Sequence, residues 1–544
     1  MPAVPEPAAA RPALLPGRRE ARLALLLLLV FTLMRGVLLG VTTPPFWGPD
    51  EDYHFLYAEH LVTQHSLIDP DRPIYTREYQ AIERAVDYDS YCCRETGRFQ
   101  GDPKASVRRL ARLGENARGP TEVGRGVGVV HPPLYHVAAA AVDWTMGDAS
   151  ILTRATWVRF LSALFGVIAV YAAWLLAAQV FRSERLQLLA AFLMAAQPIV
   201  AYLAGIINHD SALIAFSTLA LAMMAFILRS PPRAAQGAWL AAGLVAALFV
   251  KGSALALVPL ALVALGAQAL TWPEQRGEVL RSAALALGLV LLIAGPWYLR
   301  AALVYDSATG ATSSVTGSGP GEPATLGNLI SWAKEWTGLT YRTYWWHYNP
   351  PETPGPSPSK YIPALFGVIA ALGLMRLAWL ERRTLFDRTR PVLRQCALLA
   401  LAALAFYVPF MVVDLIRRAH GDPFFVNGGR YLLPAFAGVA VLLLVGIGQL
   451  VRREAERFVL WSVGASALVF GGFVYAKYSL DHYIGTEDAG DVLRRMTFNR
   501  TPIVTEPFIV LVALLALAAL AGFAVMAARS EGPKPGMSHY SDAA

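Results

Sequence analysis

The sequence contains few cysteines and few charged residues. Its 544 residues include 3 cysteines and 16% charged residues, against 55% hydrophobic residues, and the mean hydropathy is +0.43. Three cysteines cannot hold a chain of this length together, which excludes a disulfide-rich secreted protein. The adjacent Cys92 and Cys93 leave open a strained vicinal disulfide. A soluble chain cannot bury so much apolar surface, so the composition predicts an integral membrane protein.

The excess positive charge does not indicate a nucleic-acid partner. The formal net charge is +8, but the arginines lie largely in short gaps between apolar segments, where membrane topology accounts for them. The sequence also lacks a glycine-rich nucleotide-binding motif and a Cys/His set with metal-binding spacing. Nucleic acid is therefore excluded as a partner, and chemistry with a cytoplasmic nucleotide sugar has no domain to host it.

Long apolar segments predict an all-α, polytopic transmembrane protein with about 12 spans, within a range of about 10–13, because each segment can cross a hydrocarbon core of about 30 Å. The segments lie at 21–41, 157–181, 186–207, 211–228, 234–250, 252–272, 282–299, 361–380, 395–413, 431–451, 458–476 and 505–528. They group into a first helix, a bundle over 157–299 and a bundle over 361–528. Only Lys251 separates two of the segments, which also suits one broken or re-entrant unit.

The distribution of arginine predicts the orientation of the chain. The gaps on the same side as the N-terminus hold fourteen arginines in 38 residues, whereas the short gaps on the opposite side hold eight lysines or arginines in 51. By the positive-inside rule, the tails 1–20 and 529–544 are cytoplasmic. The first span, 21–41, has no small-residue cleavage site, so it is interpreted as a retained helix rather than a signal peptide.

Two segments on the outer side are too long to be simple connections, namely 42–156 and 300–360. Loops of this length usually carry function. The first is expected to contain a helix starting at Pro49 and an apolar surface helix over 132–142. The second is rich in aromatic residues over 332–348, a pattern more typical of a membrane-interface belt than of a sugar-binding platform.

The densest polar cluster, WGPDEDYH at 47–54, follows the first span directly. Proline and acids at the start of a helix stabilise its N-terminus by roughly 0.3–1 kcal/mol each, and spacing alone favours this capping role. Three acids nevertheless exceed what a cap needs. A helix would place Asp50 and His54 on one face, where the carboxylate can accept a proton from a substrate hydroxyl. Asp50 and Glu51 are therefore candidate catalytic residues, and His54 is a candidate substrate-binding residue.

Two further candidates lie beside predicted helix starts. His131 opens the surface helix in the run HPPLY, where a solvated histidine is the simpler interpretation. Asp210 lies in the turn NHDS between two spans, where a helix cap is the simpler interpretation. Their positions on the outer side also suit a substrate-binding histidine and a second catalytic carboxylate.

Cations at predicted outer helix ends suit a lipid phosphate. Lys251 either extends its ammonium to the headgroups or captures a phosphate. Arg430 and Tyr431 open another span in the run NGGRYLLP, either as an interface anchor or as a phosphate site that the glycines allow to approach the backbone. Both pairs of alternatives remain open at the level of sequence.

Taken in order, these motifs resemble the GT-C superfamily of membrane glycosyltransferases. The resemblance is to the bacterial branch related to protein O-mannosyltransferases and aminoarabinose transferases. That pattern has a Pro-Asp-Glu after the first helix, a His/Lys-Pro-Pro on a surface helix and an Asn/Asp turn between paired spans. The matching positions are Pro49-Asp50-Glu51, His131-Pro132-Pro133 and Asn208-His209-Asp210, followed by PWYLR at 296–300 and GRYLLP at 429–434.

The resemblance implies that a sugar is transferred, with inversion, from a polyprenyl-phosphate donor to an acceptor outside the bacterial plasma membrane. The acceptor would be a cell-envelope glycan, a lipid or a protein. One aspartate would act as the base, and the triplet Asp50-Glu51-Asp52 leaves open which carboxylate this is. The phosphate should meet cations at the outer interface, where Lys251, Arg300 and Arg430 are available. No cofactor is required, although two carboxylates and His54 would also suit a divalent cation.

Two alternatives use the same lipid-linked substrates: a transporter or flippase, and an oligosaccharide ligase. Transporters place ionisable groups near the middle of the membrane and show inverted repeats. Here the charges within spans, Arg35 and Arg376, lie nearer span ends, which favours an enzyme at the interface. A ligase would differ by transferring a whole glycan. A fold that gathers Asp50, Asp210 and Arg430 around one cavity would support the transferase.

Overall fold

The computed structural model describes residues 14–43, 46, 48–68, 131–304, 325–346, 361–419, 428–451, 453–476, 493, 497 and 504–530. These ranges contain helices and no strand, so the predicted all-α class is confirmed. The predicted vicinal pair Cys92–Cys93 lies outside the described residues. Cys396 is buried within a helix.

The α-helices are numbered here in chain order. They are α1 Arg19–Thr42, α2 Glu51–Gln64, α3 Leu134–Thr145, α4 Ile151–Val180, α5 Glu184–Ala196, α6 Pro198–Leu203, α7 Asp210–Arg229, α8 Ala234–Leu248, α9 Leu257–Thr271, α10 Arg276–Ile293, α11 Gly295–Val304, α12 Leu326–Trp345, α13 Ile362–Glu381, α14 Val392–Ala419, α15 Phe436–Leu450, α16 Arg453–Val474 and α17 Glu506–Arg529. Short 3₁₀ helices cover Gly252–Ala256, Pro273–Gln275, Arg382–Thr384 and Arg430–Ala435.

Eight helices in the described part of the chain are long and apolar enough to cross a membrane, and the pair α10 and α11, bent by 41°, makes a ninth. Shorter apolar helices add α8 and the second part of α16. The predicted number of about 12 therefore stays a prediction. The predicted span 186–207 is divided into α5 and α6, because Pro198 has no N–H to continue the helical hydrogen bonding.

The centre of the bundle is α7, which packs against α4, α8 and α9. Its apolar residues face neighbouring helices on nearly all sides, and 83% of its most apolar 18-residue stretch is buried. A helix that is hydrophobic all round is expected in such a position. The first residue of α7, Asp210, therefore starts inside the protein, at the end of the bundle where α1 and α8 finish.

One local prediction needs correction. The first acidic helix begins at Glu51 rather than Pro49, and Asp50 precedes it in a left-handed backbone conformation with φ +58° and no capping hydrogen bond. Glu51 and Asp52 lie in the first turn, as the capping interpretation of this cluster expects, whereas the side chain of Asp50 makes no cap. The predicted surface helix, α3, has one buried face that includes Tyr135, His136 and Asp143, because it packs against α2 and α4. Its position on the membrane surface stays a prediction.

Candidate functional site

Four charged side chains from separate segments meet at one end of the bundle. Arg430 Nη2 donates to Asp50 Oδ2 at 2.8 Å, and Arg430 Nε lies 3.5 Å from Asp210 Oδ2. Lys251 Nζ donates to the other oxygen of Asp210, Oδ1, at 2.7 Å. We call Asp50, Asp210, Lys251 and Arg430 the ion cluster. The sequence analysis expected a transferase to gather Asp50, Asp210 and Arg430. The structure brings these three residues together, and Lys251 lies beside them.

Local turns position the two carboxylates. Asn208 Oδ1 accepts a hydrogen bond from the backbone N–H of Asp210 at 2.8 Å, and Asn208 Nδ2 donates to the carbonyl of Pro49 at 2.9 Å. One asparagine side chain therefore connects the turn before α2 to the turn before α7. This connection fixes Asp50 and Asp210 relative to each other, although they are distant in sequence.

Asp50 is the open member of the ion cluster. Its side chain is 40% exposed, against 5% for Asp210, 9% for Lys251 and 12% for Arg430. Lys251 is thus buried in an ion pair, and the interpretation that it extends to the headgroups is wrong. Burial acts to raise the pKa of Asp50, but the charge and hydrogen bond of Arg430, with the charge of Lys251, lower it below its usual value. Asp50 is therefore ionised at neutral pH.

Tyr431 forms one wall beside the cations. Its ring lies 4.7 Å from Lys251 Nζ and 5.4 Å from the Arg430 guanidinium carbon. Phe410 stacks on the same ring, with centroids 4.1 Å apart and an angle of 13° between the planes. This packing holds an aromatic face against both cations, an arrangement that stabilises positive charge where water is excluded.

Glu51 has a different environment from Asp50. Its two carboxylate oxygens accept hydrogen bonds of 2.6 Å from Nε and Nη2 of Arg159, and its side chain is fully buried. It also accepts from the backbone N–H groups of Gly48 and Ile207. Arg159 in turn donates to the carbonyl of Gly40 at 2.6 Å. Glu51 therefore ties together the end of α1, the start of α2, α4 and the turn before α7.

A chain of hydrogen-bonded imidazoles ends at the ion cluster. His136 Nε2 lies 3.0 Å from His54 Nδ1, and His54 Nε2 lies 2.7 Å from His209 Nδ1. His209 Nε2 then lies 3.7 Å from Asp210 Oδ1. We call His136, His54 and His209 the histidine chain. His131 packs on its inner end, with its ring 4.4 Å from that of His209.

The histidine chain corrects two predictions. His54 does not share a helix face with Asp50, because Asp50 lies before the helix and both ring nitrogens of His54 contact other histidines. His131 is not a solvated helix start, since it packs against His209 and its Nδ1 is buried. The sequence analysis missed His136 and Arg159. An arginine inside an apolar segment was the available signal for Arg159.

The imidazoles outside the spans are neutral at pH 7. Burial, followed by the charge of Lys251, lowers the pKa of His131 to about 4. Burial, followed by the charge of His131, lowers the pKa of His136 to about 3. Burial also lowers the pKa of His54 well below its usual value, with His136 and His131 adding to the effect. These histidines therefore carry no charge at neutral pH.

Arg300 and Gly429 were considered for the phosphate. Arg300 lies on α11 with its guanidinium carbon 5.6 Å from the ring centre of Trp297, and its phosphate contact stays a prediction. Gly429 leaves room for the backbone of α12, since a Cβ there would collide with Thr340 and Tyr344. The close approach that this glycine permits is thus to a helix rather than to a phosphate.

The divalent cation stays a prediction. In the described part of the chain, no group of three or more His, Cys, Asp or Glu residues is arranged to hold a metal ion. His54, which the sequence analysis considered as a ligand, uses both ring nitrogens in the histidine chain.

Solved structures of two proteins resemble this fold at low sequence identity. ArnT from Cupriavidus metallidurans bound to undecaprenyl phosphate has 15% identity and a TM-score of 0.45, covering 92% of this chain and 74% of ArnT. The oligosaccharyltransferase AglB from Archaeoglobus fulgidus, in complex with an inhibitory peptide and a dolichol-phosphate, has 14% identity and a TM-score of 0.42. That match covers 94% of this chain and 56% of AglB.

Sequence comparisons give one family. Comparison with curated proteins returns no match. A family described as predicted membrane protein, DUF2142, matches residues 33–439, which is more than half of the chain and includes the whole ion cluster and the histidine chain. The chain is therefore an integral membrane protein and belongs to the DUF2142 family.

Proposed function

We propose that this protein transfers a sugar from a polyprenyl-phosphate donor to an acceptor on the extracytoplasmic side of the bacterial plasma membrane. The observation that carries the proposal is the ion cluster. It places an open carboxylate, Asp50, 2.8 Å from an arginine that is itself beside a second carboxylate and a lysine. Asp50 is among the carboxylates that the resemblance to GT-C glycosyltransferases implies for the base, and Lys251 and Arg430 are among the cations expected to meet the phosphate.

Lys251 and Arg430 form the phosphate side of the proposed site. Both carry donors that can turn from a carboxylate to a phosphate, and Arg430 Nη1 is buried without a hydrogen-bond partner among the described residues. Charge-assisted hydrogen bonds from such groups are the strongest that proteins offer to phosphate. The two cations would also stabilise the charge that develops on the leaving phosphate.

An apolar cavity within the bundle suits the lipid part of the donor. It lies between α5, α13, α15 and α16, and its lining includes Phe436, the residue that follows the 3₁₀ helix opened by Arg430. Its lining is aliphatic and aromatic, with Leu193, Phe366, Phe436, Leu443 and Phe470 among the residues. A polyprenyl chain requires such a surface, because its many methyl and methylene groups gain free energy when removed from water.

Asp50 is the proposed base. Its ionised carboxylate would take the proton of the acceptor hydroxyl while the hydroxyl oxygen attacks the anomeric carbon. The bond from the anomeric carbon to the phosphate oxygen breaks in the same step, and the carrier leaves as a phosphomonoester. A single displacement of this kind inverts the anomeric configuration. We assign Glu51 a structural role, because Arg159 and two backbone N–H groups already occupy its carboxylate.

The position of the ion cluster favours a transferase over a transporter. Its members lie just before α2, just after α8 and at the starts of α7 and the Arg430–Leu450 span, rather than in the middle of spans. Transporters bind their substrates near the middle of the membrane. The arginine distribution along the sequence assigns this end of the bundle to the extracytoplasmic side.

The test is binding of polyprenyl phosphate to the wild type, Lys251→Met and Arg430→Gln at matched folded fractions. We expect each variant to bind roughly 10- to 150-fold more weakly, since each loses a charged contact worth about 1.5–3 kcal/mol. Lys334→Met is the matched control, because Lys334 is exposed on α12, and it should bind like the wild type. Unchanged affinity in both cluster variants would remove the phosphate site.

A further inference from the structure

The ion cluster carries no net charge in the structure. Asp50 and Asp210 contribute two negative charges, and Lys251 and Arg430 contribute two positive charges that already contact these carboxylates. A phosphodiester adds one negative charge. A largely buried charge without a counterion is costly, so one more positive charge at this site would favour the bound phosphate.

The nearest groups that can gain this charge are the imidazoles. The histidine chain reaches the ion cluster through His209, whose Nε2 faces Asp210 Oδ1 at 3.7 Å. His131 packs on His209 and has a buried Nδ1 with no hydrogen-bond partner in the described residues. At the other end, His136 is fully buried, and a hydrogen bond with the backbone of Pro132 favours its charged form. His131 and His209 therefore have open nitrogen positions beside the ion cluster.

The contacts along the chain allow a proton to be shared. In the neutral state each of the two N–N contacts holds one proton, on one imidazole or the other. A proton added at either end shifts one proton across each contact, so the positive charge can move from His136 to His209. Coupled groups of this kind titrate as a unit rather than singly.

We propose that binding of a phosphodiester between Lys251 and Arg430 is coupled to the uptake of one proton by the histidine chain. The proton comes from solvent. In the free protein the ion cluster has no net charge and the imidazoles are neutral. In the complex, one imidazolium balances the negative charge of the phosphodiester. This inference rests on the phosphate site of the proposed function and adds the way in which that site balances its charge.

The groups that face the chain explain why the proton is absent until the phosphate arrives. Burial disfavours an imidazolium, followed by the neighbouring imidazoles and the cations Lys251 and Arg430, and an anion between these cations offsets the part that comes from their charge. The other titratable groups that face the imidazoles are Asp50 and Asp210, with Tyr57 from α2 and Tyr135 from α3. Burial raises the pKa of Tyr135, so its phenol stays neutral at pH 7.

The coupling sets the direction of the pH dependence. The imidazoles bind fewer protons in the free protein than in the complex, so affinity for the phosphodiester rises as the pH falls. With one proton taken up, the affinity should change about 10-fold per pH unit between the pKa values of the free and bound states. This window lies above about pH 3, the pKa of His136 in the free protein.

The experiment is calorimetric binding of geranylgeranyl methyl phosphate, a phosphodiester that does not titrate near neutral pH. The binding heat is measured at pH 7 in two buffers with different ionisation enthalpies, and the difference gives the number of protons taken up. We expect about one proton for the wild type. His209→Asn and His136→Asn should take up less than half of this amount and should have a flatter dependence of affinity on pH.

His65→Gln is the matched control. His65 is exposed at the end of α2, outside the histidine chain, so this variant should take up protons like the wild type. His136 does not contact the ion cluster, so His136→Asn reports on the chain even where His209→Asn fails to fold.

The outcomes separate this inference from the proposed function. Tight binding of the phosphodiester by the wild type without proton uptake would overturn the coupling and leave the phosphate site intact. Equal uptake in the wild type and His136→Asn would also overturn it. Failure of the wild type to bind the phosphodiester, or undiminished binding by Lys251→Met, would instead count against the proposed function itself.

Discussion

At the scale of single residues, the backbone of Asp50 decides what its carboxylate can do. Its φ of +58° places it outside α2, in a conformation that aspartate and asparagine tolerate better than most side chains. The carboxylate therefore contacts Arg430 instead of the N–H groups of the helix. One left-handed residue thus converts a potential helix cap into a member of the ion cluster.

Asp50→Asn should abolish sugar transfer while changing the melting temperature little. The amide has the same size, tolerates the same backbone conformation and cannot act as a base at neutral pH. Loss of a general base typically lowers the rate by about 10²–10⁴-fold. The measurement is transfer from a polyprenyl-phosphate sugar by the purified protein, alongside its thermal unfolding.

Glu51→Gln is the informative companion to this variant. It leaves the buried guanidinium of Arg159 without its counterion, which typically costs about 3–5 kcal/mol, so its defect should appear as lost folded protein. Full activity of Asp50→Asn, or a well-folded but inactive Glu51→Gln, would contradict the assignment of roles to these neighbouring carboxylates.

The sequence allowed the members of the site to be predicted better than their contacts. Asp50, Asp210, Lys251 and Arg430 are polar residues at the ends of apolar segments, and this pattern is visible in one dimension. Their partners depend on packing: Arg430 contacts Asp50 across 380 positions of sequence. His136 lies on a helix whose buried face is decided by α2 and α4, and no local pattern marked it.

At the scale of elements, α12 packs against the segment that precedes Arg430. Gly429 Cα lies against the backbone of α12, and Gly429 N–H donates to Thr343 Oγ1 at 2.9 Å. The predicted aromatic segment of the second loop is therefore a helix that holds Arg430 in place, and Trp332 on its buried face donates to Asp414 of α14. Sequence alone predicted the aromatic composition but not this contact.

Gly429→Ala should destabilise the protein and weaken phosphate binding. A Cβ at this position collides with the backbone of α12, which cannot move as a side chain can, and overpacking of this kind typically costs about 1–3 kcal/mol. The measurements are thermal unfolding and polyprenyl-phosphate affinity. Gly338→Ala on α12 itself is the control, because a Cβ there meets open space, and it should be neutral or slightly stabilising.

The contrary result, normal stability and affinity in Gly429→Ala, would mean that α12 does not support Arg430.

Helix positions elsewhere were predicted from apolar length, and this criterion works where a helix is unbroken. It fails at the division between α5 and α6 and at the bend between α10 and α11, because a break of one or two residues leaves the hydropathy unchanged.

At the scale of the whole molecule, the orientation in the membrane is the prediction on which the proposed function depends. In a cysteine-free background, Ser313→Cys should react with a membrane-impermeant thiol reagent in intact cells, whereas Arg390→Cys should not. The reason is the excess of arginine in the gaps around Arg390. Labelling after permeabilisation checks that both cysteines are reactive, and the reverse pattern in intact cells would place the ion cluster in the cytoplasm.

The order of the ion cluster along the chain has a consequence for biosynthesis. Lys251 follows Asp210 by 41 positions, so these opposite charges leave the ribosome close together and can neutralise each other as α7 and α8 insert. Asp50 is synthesised first, and Arg430, with which it pairs, follows 380 positions later. A nascent chain interrupted between α8 and α15 therefore holds the carboxylate of Asp50 without its cation. Arg430 is the last residue of the ion cluster to be synthesised, and it is the residue that contacts both Asp50 and Asp210.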